Sequence, residues 1–110
     1  MTVLGIGNYI LDERGEPVLC PDWDEWGAWY QTSDRTIRRT EVCGLLVSTV
    51  FLGMDHNFVD DGPPHLFETM IFPIVDGELS WSEVYGERYS TRAEAIAGHT
   101  RAVDWVLAGS

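Results

Sequence analysis

The sequence predicts an α+β fold: an antiparallel β-sheet of about four to six strands with two helices packed on one face. Three observations predict it. Apolar runs of strand length recur between turn-forming residues. Two other segments carry apolar residues at helical spacing behind capping residues. The order of these pieces is a hairpin, a helix, four strands and a helix, which is the α+β arrangement. The 110 residues read as a single domain, 1–110, able to bury roughly 60–70% of its unfolded surface. No linker, repeat or low-complexity tract divides the chain.

The first hairpin is NYIL and PVLC around DERGE. Pro17 cannot donate to a ladder, which places this hairpin at a sheet edge. In PDWDEWGAWYQTSD, Asp22 is an N-cap and Glu25 follows at capping-box spacing. Trp23, Trp26, Trp29 and Tyr30 then recur at helical spacing and are expected to pack on the sheet; an exposed aromatic patch for a partner is the alternative.

RTIRRTEVC reads as a strand, and its Arg35, Arg38 and Arg39 are expected to neutralise nearby carboxylates. Gly44 permits a turn into LLVSTVFLGM, apolar on both faces and so a central strand. VDDGPP is the next connector. Pairing Phe58 with His65 gives a register in which paired numbers sum to 123. Asp55 then faces Glu68, His56 faces Phe67, and Phe51 lies beside Phe72. Asp76–Gly77 is a type I′ signal, and pairing Val75 with Glu78 sets Phe72 opposite Trp81. Phe51, Phe72 and Trp81 would form one seam, unless a bulge at Pro73 shifts it. Thr91 and Glu94 open the last helix with capping-box spacing, and Ile96, His99, Val103 and Val106 share its stripe.

Eighteen acids against seven basic residues, all of them arginine, give a net charge of −11. The charge is uneven. Residues 1–34 hold seven acids and one Arg, residues 35–54 three Arg and one Glu, residues 55–87 eight acids and no Arg, and residues 88–110 three Arg and two acids. Direct nucleic-acid binding needs a basic footprint and is excluded by this balance. No apolar run approaches the ~20 residues of a membrane helix. The N-terminus lacks the basic and long apolar regions of a signal peptide. Cys20 and Cys43 read as buried free thiols, and the location expected is a cytoplasm.

Asp55, His56, His65 and Glu68 are the candidate chemical cluster. Two carboxylates directly opposite repel. A shared proton, an arginine, a bulge or a cation would resolve the pair, and a raised pKa or a metal site with two His and two acids would make a small hydrolase. No HxxxH, HExxH or CxxC spacing supports this. Asp55, Asn57 and Asp60 favour local side-chain-to-backbone bonds, so the structural reading is that these residues pin the hairpin end. His99, on an apolar stripe, reads as a buried, satisfied histidine. No cofactor is implied.

The strings VSTVFLGMDHNF, GPPHLFETMIF and RYSTRAEAIAGH resemble a group of small proteins of phages, prophages and bacteria with GC-rich genomes. The likeness runs from about Ser33 to His99. It implies a phage or mobile-element setting and carries over no catalytic residue.

The functional expectation is a small acidic binding protein whose partner is a protein with a basic surface. The concrete version is an inhibitor of host defence in the anti-CRISPR manner, acting in the host cytoplasm as a monomer or homodimer. The partner-binding acids expected are Asp60, Asp61, Glu78, Glu83, Glu87, Asp24 and Glu25. The alternatives are an accessory phage protein whose acidity serves solubility, and the small hydrolase.

Overall fold

The computed structural model describes residues 7–59 and 61–109. Its elements in chain order are β1 (Tyr9–Leu11), β2 (Pro17–Leu19), α1 (Trp23–Thr32), β3 (Thr36–Val42), β4 (Leu45–Phe51), β5 (Phe67–Val75), β6 (Glu78–Leu79), β7 (Tyr85–Tyr89) and α2 (Arg92–Leu107). The architecture is α+β. Strands β3, β4 and β5 pair in that order, and β6 and β7 both pair with the far side of β5. All the pairings are antiparallel. No helix among the described residues is long and apolar enough to cross a membrane. Met1–Ile6, Asp60 and Ser110 lie outside the described residues, and with them the N-terminal segment read for a leader and one of the expected partner-binding acids.

The first hairpin does not extend the main sheet. It forms its own two-stranded sheet, joined to the chain after β4 by an Asn8–Met54 bridge and by the Tyr9 N–H donating to the Gly53 carbonyl at 2.8 Å. The two tight turns behave as their residues dictate. Cys43–Gly44 and Asp76–Gly77 all have positive φ, the conformation that a two-residue type I′ hairpin requires. Cys43 is therefore at an exposed turn and only Cys20 is buried, so the expectation of two buried thiols fails for Cys43.

The β4–β5 register departs from the sequence expectation. Paired numbers sum to 118, not 123: Phe51 faces Phe67, Thr49 faces Thr69 and Val47 faces Ile71. The connector is the fifteen residues 52–66, and the Asp55–Glu68 pairing does not exist. A slip of five is odd, so it exchanges the faces of one strand relative to the other. In the observed register Val47, Thr49, Phe51, Phe67, Thr69 and Ile71 are all buried on one face. The single ring seam is replaced by two contacts. Phe51 meets Phe67, with ring centroids 5.3 Å apart, and Phe72 meets Trp81 on the other face, also at 5.3 Å.

Helix α2 lies over the Val47–Ile71 face, burying Ala102 and Val106 there. Its Thr91 and Glu94 form the capping box. Its buried side is Ala95, Gly98, His99, Ala102 and Val106. His99 is 3% exposed. Its Nε2 lies 2.8 Å from the Thr40 hydroxyl and its Nδ1 2.7 Å from that of Thr49, which is 2.6 Å from the Thr69 hydroxyl. Three strands and a helix thus share one satisfied polar cluster, as buried polar groups require. Desolvation, ahead of the charge of Arg38, holds the His99 ring below the ordinary histidine pKa.

Helix α1 is capped by Asp22, whose carboxylate accepts from the N–H groups of Asp24 and Glu25. Its aromatics divide. Trp29 packs edge-on against Phe51, on the face that α2 covers. The Trp26 indole donates to the carbonyls of Tyr9 and Gly53, and Trp23 remains 60% exposed. The arginine trio does not neutralise carboxylates among the described residues. Arg35 sits over the Tyr30 ring at 4.0 Å and donates to the Phe51 carbonyl, while the ion pairs formed are Arg88–Glu68 and Arg101–Glu87.

Candidate interaction site

The loop 52–66 owes its shape to short polar side chains that bond their own backbone, the usual device of Asx turns. The Asp55 carboxylate accepts from the N–H of Asn57 at 2.7 Å and of His65 at 3.0 Å, clamping the two limbs together. Asn57 is buried. Its amide donates to the Pro63 carbonyl and accepts from the Val59 N–H. The His56 N–H donates to the His65 carbonyl, and the His56 ring donates from Nδ1 to the Met54 carbonyl at 2.8 Å. A carbonyl only accepts, so the ring proton is on Nδ1. This bracing holds two adjacent apolar residues in solvent: Phe58 is 76% exposed and Val59 89%.

Strand β7 lies beside the loop. Arg88 donates to Glu68 at 2.9 Å and to the His56 carbonyl at 3.4 Å, tying the edge of the sheet to the loop. A groove of about 470 Å3 opens here, lined by His56, Phe58, His65, Glu68, Glu83 and Arg88 among others. A second groove of about 370 Å3 lies on the α2 side of β7, between Glu87, Tyr89, Glu94, Ala97 and Arg101. Glu87 is the hub of that side, accepting from the hydroxyls of Tyr85 and Tyr89 and from Arg101. Burial alone would raise its pKa; the hydrogen bonds from Tyr89 and Arg101, with the charge of Arg101, outweigh it and hold the carboxyl below its ordinary range. Burial pushes the Tyr89 hydroxyl up to about 12, with the Glu87 carboxylate adding to it, so Tyr89 stays a donor at neutral pH.

The expected chemical cluster is not assembled. Asp55 is committed to the loop backbone and Glu68 to Arg88, and no group of three or more His, Cys, Asp or Glu among the described residues could hold a metal ion. The pinning expected of this cluster is what Asp55 does. Cys20 is no better placed for chemistry: burial, then the charges of Glu25 and Asp22, push its thiol pKa up.

The expected partner-binding acids are dispersed. Glu83 and Glu87 line the first groove, and Asp61 is exposed on the loop that walls it. Asp24 and Glu25 are exposed in the first turn of α1. Glu78 is exposed at the β5–β6 turn, the length of β5 away from the loop, about 26 Å for a nine-residue strand. Charges that far apart act independently at a Debye length of about 8 Å. Glu87 is half-buried and engaged by its own chain rather than presented bare. The sequence reading missed Phe58, Val59, Gly86 and Arg88. A usable signal was present in YGERY, where Tyr85, Glu87 and Tyr89 alternate with Gly86 and Arg88. Compared with protein-family models, with curated proteins and with solved structures, the chain matches none.

Proposed function

We propose that this chain is a binding protein that occupies a basic surface on a protein partner, with the loop 52–66 as its anchor. One observation carries the reading. Phe58 and Val59 stand in solvent on a loop braced from within by Asp55 and Asn57. A rigid aromatic anchor with a polar surround is the composition of an interface hot spot. The surround here is acidic, with Asp61 on the loop and Glu83 across the groove, in a chain of net charge −11. Such a field speeds encounter with a basic partner and makes binding salt-dependent.

The most concrete form of the proposal is a phage or mobile-element protein acting in the host cytoplasm. It would cover the phosphate-binding surface of a nucleic-acid-handling defence protein, as anti-CRISPR inhibitors do. The net charge of −11 supports this form, since a phosphate-binding surface attracts an acidic one. The test is retention of host proteins by the tagged chain at low and high salt, repeated with the Phe58→Ser, Val59→Ser double variant. The expected outcome is a basic protein held at low salt, released at high salt and lost by the variant. Retention indifferent to both salt and the variant refutes the proposal.

A further inference from the structure

We propose that β7 is a receiving edge, onto which an extended, basic segment of the partner protein adds as a further strand. The inference rests on the reading above and names the mode of docking.

Among the described residues, strand β7 pairs with β5 alone. The Tyr89 carbonyl accepts from the Leu66 N–H and therefore points toward β5. Groups along a strand alternate in direction, so the N–H and C=O of Gly86 and Arg88 point away from the sheet. No hydrogen bond among the described residues engages them. The opposite edge differs. Strand β3 carries exposed Arg38 and Arg39 and a register irregularity between Thr36 and Arg38, features that discourage edge pairing. Strand β7 instead offers a glycine at one of its two outward positions, and a strand glycine commonly marks close approach of another backbone.

Two grooves flank this edge. They lie on opposite faces of β7 and share His65, Glu87 and Arg88. An added strand sends successive side chains to opposite faces. One set would enter the groove walled by Phe58 and Val59, the other the groove between β7 and α2. Main-chain bonds to an edge with alternate side chains in flanking pockets are how strand addition works. Of the groove carboxylates, Glu68 and Glu87 are paired with Arg88 and Arg101 and Glu94 completes the box of α2, which leaves Glu83 unpaired among the described residues. With the net charge of −11, this selects a basic strand and repels a second copy of the same chain.

The probe is a synthetic peptide of alternating Lys and Val, with its Glu-for-Lys counterpart as control. The readout is amide hydrogen exchange at Gly86 and Arg88. The Lys–Val peptide is expected to slow exchange there and leave the inward amides of Tyr85, Glu87 and Tyr89 unchanged. The acidic peptide is expected to do nothing. Arg88→Pro removes an outward donor without touching the ladder to β5. Arg88→Ala loses the same Glu68 ion pair and the tie to the His56 carbonyl but keeps the donor, so Arg88→Pro should bind about tenfold more weakly than Arg88→Ala. Should Arg88→Pro fail to fold, exchange in the unaltered protein decides. Absence of binding, binding without protection at Gly86 and Arg88, equal response to the acidic peptide, or concentration-dependent protection without peptide each overturns the inference. A basic host protein retained in a salt-sensitive way while these amides stay unprotected removes only the edge; no such protein retained removes the reading beneath it.

Discussion

Acidification should destabilise this fold through His99. The ring is 3% exposed and both its nitrogens face threonine hydroxyls. A hydroxyl can accept or donate, so protonation breaks no hydrogen bond in principle; its cost is a charge buried from solvent with no carboxylate at bonding distance among the described residues, and with Arg38 adding like charge. The folded pKa therefore lies below the unfolded value of about 6.5. Above that value both states hold a neutral ring and stability is full. As pH falls below it, the unfolded chain takes up a proton that the fold refuses, and stability drops until the folded pKa is reached. The slope is at most about 1.4 kcal/mol per pH unit, or about 1 M in urea midpoint at ordinary m-values. The assay is urea unfolding from about pH 7.5 down to about pH 5, on the protein and on His99→Gln. Glutamine can bond both hydroxyls and does not titrate, and the difference between the two curves cancels the carboxylates. A flat difference, or one in which the histidine protein gains on acidification, refutes the reasoning.

Three further outcomes follow from the packing. Thr49→Val deletes the hydroxyl that bonds both His99 and Thr69 and should cost about 1–3 kcal/mol in denaturant unfolding, with Thr49→Ser recovering most of it. Gly98→Ala should destabilise by about 1–2 kcal/mol although alanine favours helices, because a Cβ there overlaps the Tyr89 ring; Gly27→Ala, where a Cβ meets nothing within 4 Å, should instead stabilise by about 0.5–1 kcal/mol. Trp29→Ala should cost about 2–3 kcal/mol through its contact with Phe51, while Trp23→Ala, at an exposed position, should stay within about 0.5 kcal/mol. Thermal or urea unfolding separates each pair.

What the sequence made legible was local. Asp22, Thr91 with Glu94, and Asp76–Gly77 act within a few residues of themselves, and the structure holds all three, although Glu25 does not close the box that its spacing from Asp22 suggested. The β5–β6 register followed, because a two-residue turn leaves it no freedom: Val75 pairs with Glu78 and Phe72 meets Trp81. The β4–β5 register was not legible in the same way. Its connector is long, and the groups that distinguish registers, Thr49, Thr69 and His99, are 20 and 50 residues apart. The strand after Asp76–Gly77 was read as one piece. It breaks between β6 and β7, and pairing with β5 moves from a sum of 153 to 156. That break creates the β7 edge and the groove holding Glu83. The candidate site was therefore the least legible part, since a braced loop and a displaced edge strand make it jointly.

The same distinction separates acids that serve the fold from acids left for a partner. Composition counts all eighteen alike. In the structure Asp22 caps α1, Asp55 clamps the loop, Glu94 completes the box of α2, and Glu68 and Glu87 are paired with arginines. The side chains of Asp61, Glu78 and Glu83 hold no hydrogen bond or ion pair among the described residues. Neutralising an acid of the first kind should cost stability: Asp55→Ala removes the acceptor of two backbone N–H groups, at about 1–2 kcal/mol. Neutralising one of the second kind should leave stability within about 0.5 kcal/mol. Glu83→Gln and Glu78→Gln then become a matched test. Both remove one exposed charge, but only Glu83 faces the groove. If the acidity matters only as bulk charge, the two variants should weaken partner retention equally. If the groove is where the partner sits, Glu83→Gln should weaken it and Glu78→Gln should not, with unfolding curves unchanged for both.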